Sequence, residues 1–331
     1  MRAHGMRGTA VAVIDPKGPP KPMSRRTRFA RVLGLALTAA VALAPALGAS
    51  GRLSNDDRHD RGLDREYPVQ KKEEIRKTLK FTDTSKPLEV IVDNVFGPVT
   101  VEGYAGTEVL LTAAKTIYAR DEEKAKLAAE EVKLDIQEKG ATIDIYVDGP
   151  FRDNDRRGRH FHQWREPGYE VHYAFELKVP FKTNVAVSTV TSGDVEVRKV
   201  EGEFDVHNVN GKLRMFDVAG SGEAQTVNGE LDAAFRTPPA GPCKFKTING
   251  ALVLTLPGDA SADFRLKTFN GEMYSDFAVT SLPRRAAEKE EGKGKFIYKA
   301  DRSIGVRAGK GGPEISLETM NGDILIKKRT A

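Results

Sequence analysis

The chain has 331 residues, 39% hydrophobic and 30% charged, with a formal charge of +5 and an isoelectric point near 9.1. The basic excess invites a nucleic-acid reading, but its location excludes one: residues 1–49 hold eight of the 52 Lys and Arg and one of the 47 acids, leaving the remainder near neutral, about −2. A single cysteine, Cys243, excludes an intramolecular disulfide.

From Met23 the residues follow the order of a secretory signal. Arg25-Arg26-Thr27-Arg28 precede an apolar run from Val32 to Ala44, then Pro45 and the small-residue end Ala46-Leu47-Gly48-Ala49. The run is short for a membrane span, so no transmembrane segment is expected in the mature chain. Residues 1–49 therefore read as an N-terminal extension plus signal peptide, with export to the periplasm or the cell surface. Ser24-Arg25-Arg26 leaves a twin-arginine signal open as an alternative route. Without a cysteine near the cleavage site, a lipid anchor is not expected. Residues 50–72, dominated by Asp, Arg, Gly and Lys without apolar period, read as a flexible linker.

A first β lobe is expected over residues 73–180. It has strands near Leu88–Asp93, Val99–Gly103, Glu108–Thr116, Lys133–Glu138, Thr142–Val147 and Tyr169–Val179, with a helix from Asp121 to about Val132. Asp121 is placed to cap that helix, whose Ala125, Ala128, Ala129 and Val132 share one face, suited to covering an open end of the fold. Residues 148–168 form a polar loop.

Residues 181–331 carry a repeat of about twenty residues. Around Gly97, Gly211, Gly229, Gly250, Gly271 and Gly322 one frame recurs: apolar or small at −7, −5, +2 and +4, Thr or Asn at −3, apolar at −2. Gly193 heads a variant copy with one extra residue. Alternation broken by an Asn-Gly corner means strand, turn, strand. Independent hairpins are one solution, because Asn-Gly is the strongest short hairpin signal. The even spacing of Gly193, Gly211, Gly229, Gly250 and Gly271 favours another: an all-β, single-stranded parallel β-solenoid whose coils stack, preceded by the small helix-bearing lobe. In that stack Asn210, Asn228, Asn249, Asn270 and Asn321 form a corner ladder, and the Asn-Gly pair supplies a left-handed bend. The charged insertion from Pro283 to Lys295 separates the last two copies and reads as a solvated excursion.

Few residues have the makings of a reactive site. Cys243 falls at an inward position and is expected to be a small buried apolar residue. His160 and His162, with His172 beyond, have metal-ligand spacing but no fixed third ligand. Asp153-Asn154-Asp155 with Gly158 resembles only part of a calcium loop. No metal or cofactor is expected. The rival class is a glycan lyase or hydrolase on a β-helix, which would need convergent carboxylates on one outer face. The outward positions instead alternate in sign, as with Lys212 near Glu230 and Glu223 near Lys244, and no enzyme is expected. Lys244, Lys246, Arg265 and Lys267 are expected on neighbouring coils as one cationic patch, suited to an anionic envelope polymer or another envelope protein.

The run Val187 to Val197, the recurring Asn-Gly corners and the ending Glu314 to Ile324 resemble the putative-adhesin family of exported bacterial β-repeat proteins, a domain of unknown function. The resemblance covers about residues 85–328. It implies a right-handed β-helix-like fold and a cell-envelope location, favours binding over catalysis, and supplies no catalytic residues. A scaffolding or regulatory contact with another envelope protein is the alternative role.

Overall fold

A computed structural model describes residues 63, 66–152, 167–285, 288–292, 295–299 and 302–329, all within one unit spanning residues 47–331. The proposed signal peptide, His160, His162 and the Asp153-Asn154-Asp155 segment lie outside the described residues.

Among the described residues there are 23 strands and one helix. The first part comprises β1 (Val69–Leu79), β2 (Glu89–Asp93), β3 (Val99–Tyr104), β4 (Val109–Ala119), α1 (Glu122–Glu131), β5 (Lys133–Lys139), β6 (Thr142–Asp148) and β7 (Tyr169–Pro180). The repeats follow as β8 (Asn184–Ser188), β9 (Val195–Arg198), β10 (Phe204–His207), β11 (Leu213–Val218), β12 (Gly222–Gln225), β13 (Leu231–Phe235), β14 (Cys243–Lys246), β15 (Leu252–Leu256), β16 (Ala262–Lys267) and β17 (Met273–Ser275). The chain ends with β18 (Val279–Ser281), the hairpin β19 (Glu288–Gly292) and β20 (Lys295–Lys299), then β21 (Ile304–Ala308), β22 (Glu314–Glu318) and β23 (Ile324–Lys328).

Each copy of the frame sends one strand to each of two sheets. The first sheet has the order β1-β4-β7-β3-β9-β11-β13-β15-β23-β17, and the second β18-β21-β16-β22-β14-β12-β10-β8-β2-β6-β5. The positions at −7, −5, +2 and +4 point between the sheets. Val90, Val92, Val185, Val187, Phe245, Leu254, Leu317 and Ile326 are among the buried side chains that result. A fully buried Val, Leu, Ile or Phe contributes about 1.5–3 kcal/mol, so the frame itself is the core. Where β12 offers only Gly222 and Ala224, the rings of Phe204 on β10 and Phe245 on β14 close to 6.1 Å across it, and Phe235 packs on both.

Three expectations change. The sheets are mixed: parallel through the repeats, but antiparallel at β1-β4-β7, β5-β6 and β16-β21-β18. Regular order begins within the stretch read as linker, because Ile75 and Leu79 give β1 enough apolar contact to pair along all of β4. Most importantly, the last copy is out of chain order. β22 and β23 sit between β14-β15 and β16-β17, so the copy at Gly322 is inserted between those at Gly250 and Gly271. Both sheets run unbroken across residue 180, since β2 pairs with β8 and β3 with β9.

The helix begins as its sequence indicates, with the Asp121 carboxylate accepting from Lys124 N at 2.7 Å. Its buried Ala125 and Ala128 pack on β1, β4 and β7, where the first sheet extends beyond the second. Lys115 also points inward here, 7% exposed, donating from Nζ to Val132 O at 3.4 Å. Burial pushes its ammonium below the usual lysine range, against a smaller opposing pull from Glu73. No helix of the described residues is long and apolar enough to cross a membrane, which says nothing of a β-barrel.

Candidate binding face

The corner residues form two ladders. At the surface, Asn228 Nδ2 donates to Asn210 Oδ1 at 2.8 Å, Asn249 to Asn228 at 2.8 Å, Asn321 to Asn249 at 2.7 Å and Asn270 to Asn321 at 2.8 Å. Beneath it, the residue at −3 caps the corner carbonyl of the coil below. Thr226 Oγ1 donates to Gly211 O at 3.1 Å, Thr247 to Gly229 O at 2.9 Å, Thr319 to Gly250 O at 3.1 Å and Thr268 to Gly322 O at 3.0 Å. Asn208 Nδ2 does the same for Gly193 O at 3.0 Å, and Thr189 Oγ1 for Gly97 O at 3.1 Å. This is the physical reason for Thr or Asn at −3: a short donor meets a carbonyl that stacking removes from water.

Both backbone conformation and close contact require the glycines. The ladder asparagines have no positive φ, so the bend falls on glycine: Gly211, Gly250, Gly271 and Gly322 have φ of 150°, 159°, 157° and 154°, a conformation that L side chains rarely adopt. Contact excludes a side chain as well. A Cβ on Gly250 would lie 2.1 Å from Gly229 O, on Gly229 2.0 Å from Gly211 O, on Gly322 2.1 Å from Gly250 O and on Gly271 2.0 Å from Gly322 O. Gly193, in the variant copy, would place its Cβ 2.3 Å from Gly97 O. Gly97, with φ 108°, satisfies both reasons, its Cβ position lying 2.4 Å from Tyr173 O.

The insertion of β22 rearranges the expected cationic patch. Lys244 and Lys246 on β14 do not neighbour Arg265 and Lys267 on β16. Ser316 and Glu318 lie between them, in register with both strands. Lys267 Nζ pairs with Glu318 Oε1 at 2.6 Å, Lys244 with Glu223 at 2.7 Å, and Arg265 Nε lies 3.5 Å from Glu314. Burial works against the Glu318 carboxylate. The hydrogen bond from Lys267 and the charges of Lys246, Lys267 and Lys244 outweigh it, holding the carboxyl below its usual range. Along this face Lys246, Glu318 and Lys267 alternate in sign, while Asp205 and Glu223 stand side by side as acids. The Glu223 pairing and the Lys212–Glu230 contact, at 4.0 Å, match the sequence expectation.

At the other end of the second sheet is a polar cluster the sequence reading missed. Asp93 Oδ1 accepts from Ser188 Oγ at 2.8 Å and from Arg152 Nη1 at 3.0 Å, and Arg152 also stacks on Tyr146 at 4.4 Å. Next to Ser188 on β10, His207 meets Asp205 at 2.7 Å. The residue types suggest a nucleophile relay, but the hydroxyl of Ser188 is directed to Asp93, a carboxylate that Arg152 also holds. Only strand register, invisible as local sequence, brings Asp93, Ser188 and His207 together. His172 stacks on Phe96 with ring centres 5.4 Å apart and contacts Glu170 at 3.0 Å. Cys243 is buried, and burial pushes its thiol up to about 11, which suits packing more than nucleophilic use. No group of three potential metal ligands occurs among the described residues.

Exposed apolar surface is concentrated at one end. Of six large apolar side chains exposed among the described residues, Phe269, Tyr274, Val279, Ile304 and Met320 lie on the last two coils of the stack or on β18 and β21 beside them. Phe269 is 73% exposed, and its neighbour Met320, one strand away across the Asn270–Asn321 bridge, is 51% exposed.

Three solved structures resemble the fold at low identity. A putative cell adhesion protein from Clostridium sporogenes ATCC 15579 is 11% identical with a TM-score of 0.40, the match covering 78% of this chain and 100% of that one. A putative adhesin from Bacteroides fragilis NCTC 9343 is 10% identical with a TM-score of 0.28, and a putative lipid binding protein from Parabacteroides distasonis ATCC 8503 is 12% identical with a TM-score of 0.27, each match covering 78% of this chain and 97% of the other. No curated protein matches. Residues 181–327 match the family described as Toastrack DUF4097.

Proposed function

We propose that this protein is exported and acts without catalysis, as a binding or scaffolding surface at the bacterial cell envelope. The supporting observation is the gathering of Phe269, Tyr274, Val279, Ile304 and Met320 at one end of an otherwise charge-paired solenoid. Apolar surface concentrated in that way is characteristic of contact with another macromolecule. The order of residues 1–49, basic then apolar then small, supports removal of a signal peptide on export. Residues 69–180 act as the lobe that closes one end of the stack, and residues 181–331 as the repeat domain that presents the surface.

The partner this surface favours is another envelope protein, because most cations of the expected polyanion patch already face acids. The test is site-specific photo-crosslinking in the source cells, with the probe at Phe269 or Met320 and a control probe at Glu196 on the outer face of the first sheet. A discrete adduct from positions 269 and 320 but not from 196 is expected. Equal labelling at all three positions, or none, would remove the case for this end as the binding surface. A second reading, contact with an anionic polymer through Lys244, Lys246 and Lys267, predicts salt-sensitive retention on a polyanion matrix that is lost when the three are changed to Glu.

A further inference from the structure

The copies β16-β17 and β22-β23 carry the same frame and the same Thr, Asn, Gly corner, so the backbone of either is suited to stack on β14-β15. The fold places the later copy there and the earlier one at the end. Two features of the side chains discriminate between the orders.

On the outer face of the second sheet, Lys246, Glu318 and Lys267 now stand in a row, cation, anion, cation, with the Lys267–Glu318 contact at 2.6 Å. In chain order Lys246 would stand beside Lys267 and Lys244 beside Arg265, about 4.8 Å apart, a spacing at which like charges on neighbouring strands destabilise a sheet. On the inner face of the first sheet, the +4 position holds Leu254 on β15 and Ile326 on β23, but Ser275 on β17. At the edge of the sheet Ser275 Oγ is satisfied locally, accepting from Phe277 N at 3.1 Å. Between Leu254 and Ile326 it would face two apolar side chains and lose that freedom.

We propose that the alternating charge row and the polar Ser275 set the order of the last coils, so that the two copies are interchangeable units sorted by side chain and not by chain connectivity. β21 and β22 are joined by Gly309 and Gly311, with φ of 57° and 77°, and in chain order these strands would lie next to each other as a simple hairpin.

Cys243, the only cysteine, reports the order. It faces Ile315 on the adjacent strand and is separated by that strand from Phe264, a distance of about 9.6 Å that no disulfide spans. Under mild oxidation Ile315→Cys should form an intrachain disulfide and Phe264→Cys should not. Adding Glu318→Lys, Lys267→Glu and Ser275→Leu makes the chain order the charge-matched one, and should move the ratio of the two cross-links toward position 264 by about tenfold. An unchanged ratio in the folded triple variant would overturn the proposal. If that variant does not melt cooperatively, Glu318→Gln in an otherwise natural chain decides. It should lower the melting temperature at low salt and much less at 1 M salt, and equal melting at both salts would equally overturn it.

Discussion

Asn321 donates its side-chain amide to Asn249 at 2.7 Å, a bond between residues 72 positions apart that closes the corner ladder through a coil inserted out of chain order. Asn270 donates to Asn321 in turn, so Asn321 is both donor and acceptor. Asn321→Asp keeps the acceptor and loses the donor. It is expected to cost about 1 kcal/mol, read as a lower denaturant midpoint with unchanged slope. An unaltered midpoint would mean that water replaces the ladder at no cost.

The corner glycines carry a prediction at position 250. A φ of 159° and the close approach of the neighbouring coil both penalise any Cβ at position 250, so Ala and Val should share most of the cost. Because a Cβ alone would lie 2.1 Å from Gly229 O, Gly250→Ala should already destabilise by roughly 1–3 kcal/mol. Thermal melting of the Ala variant at the natural temperature would refute the close-approach explanation.

Lys115 is the inward cation of the helix-bearing end. Its ammonium is held below its usual range by burial, so between the folded and unfolded pKa the unfolded chain binds more protons and stability rises with pH there. Lys115→Met keeps the length of the side chain and removes the desolvated charge. Stabilisation by about 1 kcal/mol at neutral pH is expected in chemical denaturation. Destabilisation would show that the bond to Val132 O outweighs the burial of the charge.

Glu318 gives a pH dependence of the same sign, in the acid range. Its folded pKa is depressed, so its contribution is fully present above the ordinary Glu pKa and is lost as pH falls through the folded value. Melting temperatures between pH 6 and pH 3 should fall less steeply in Glu318→Gln than in the natural protein. Parallel curves would place the acid sensitivity elsewhere.

The local sequence was sufficient for much of this. Inward apolar positions, the capped helix, the asparagine ladder and the burial of Cys243 all follow from a frame in which each residue's environment is set by neighbours within one coil. The −3 Thr was legible as a pattern, but its bond to the carbonyl of the coil below needed the stack.

What the sequence determined by itself is the coil: two strands, a tight Asn-Gly corner and one buried face, because alternation of side chains along a strand is fixed by backbone geometry. What only the tertiary structure decided is which coil lies on which. Equivalent frames offer equivalent backbone hydrogen bonds, so the choice falls to pairs distant in sequence: Lys267 with Glu318, Cys243 with Ile315, Asp93 with Ser188. The same long-range register divided the expected four-cation patch and moved β1 out of the linker. Each of these depends on partners thirty or more positions apart, a distance over which local periodicity carries no information.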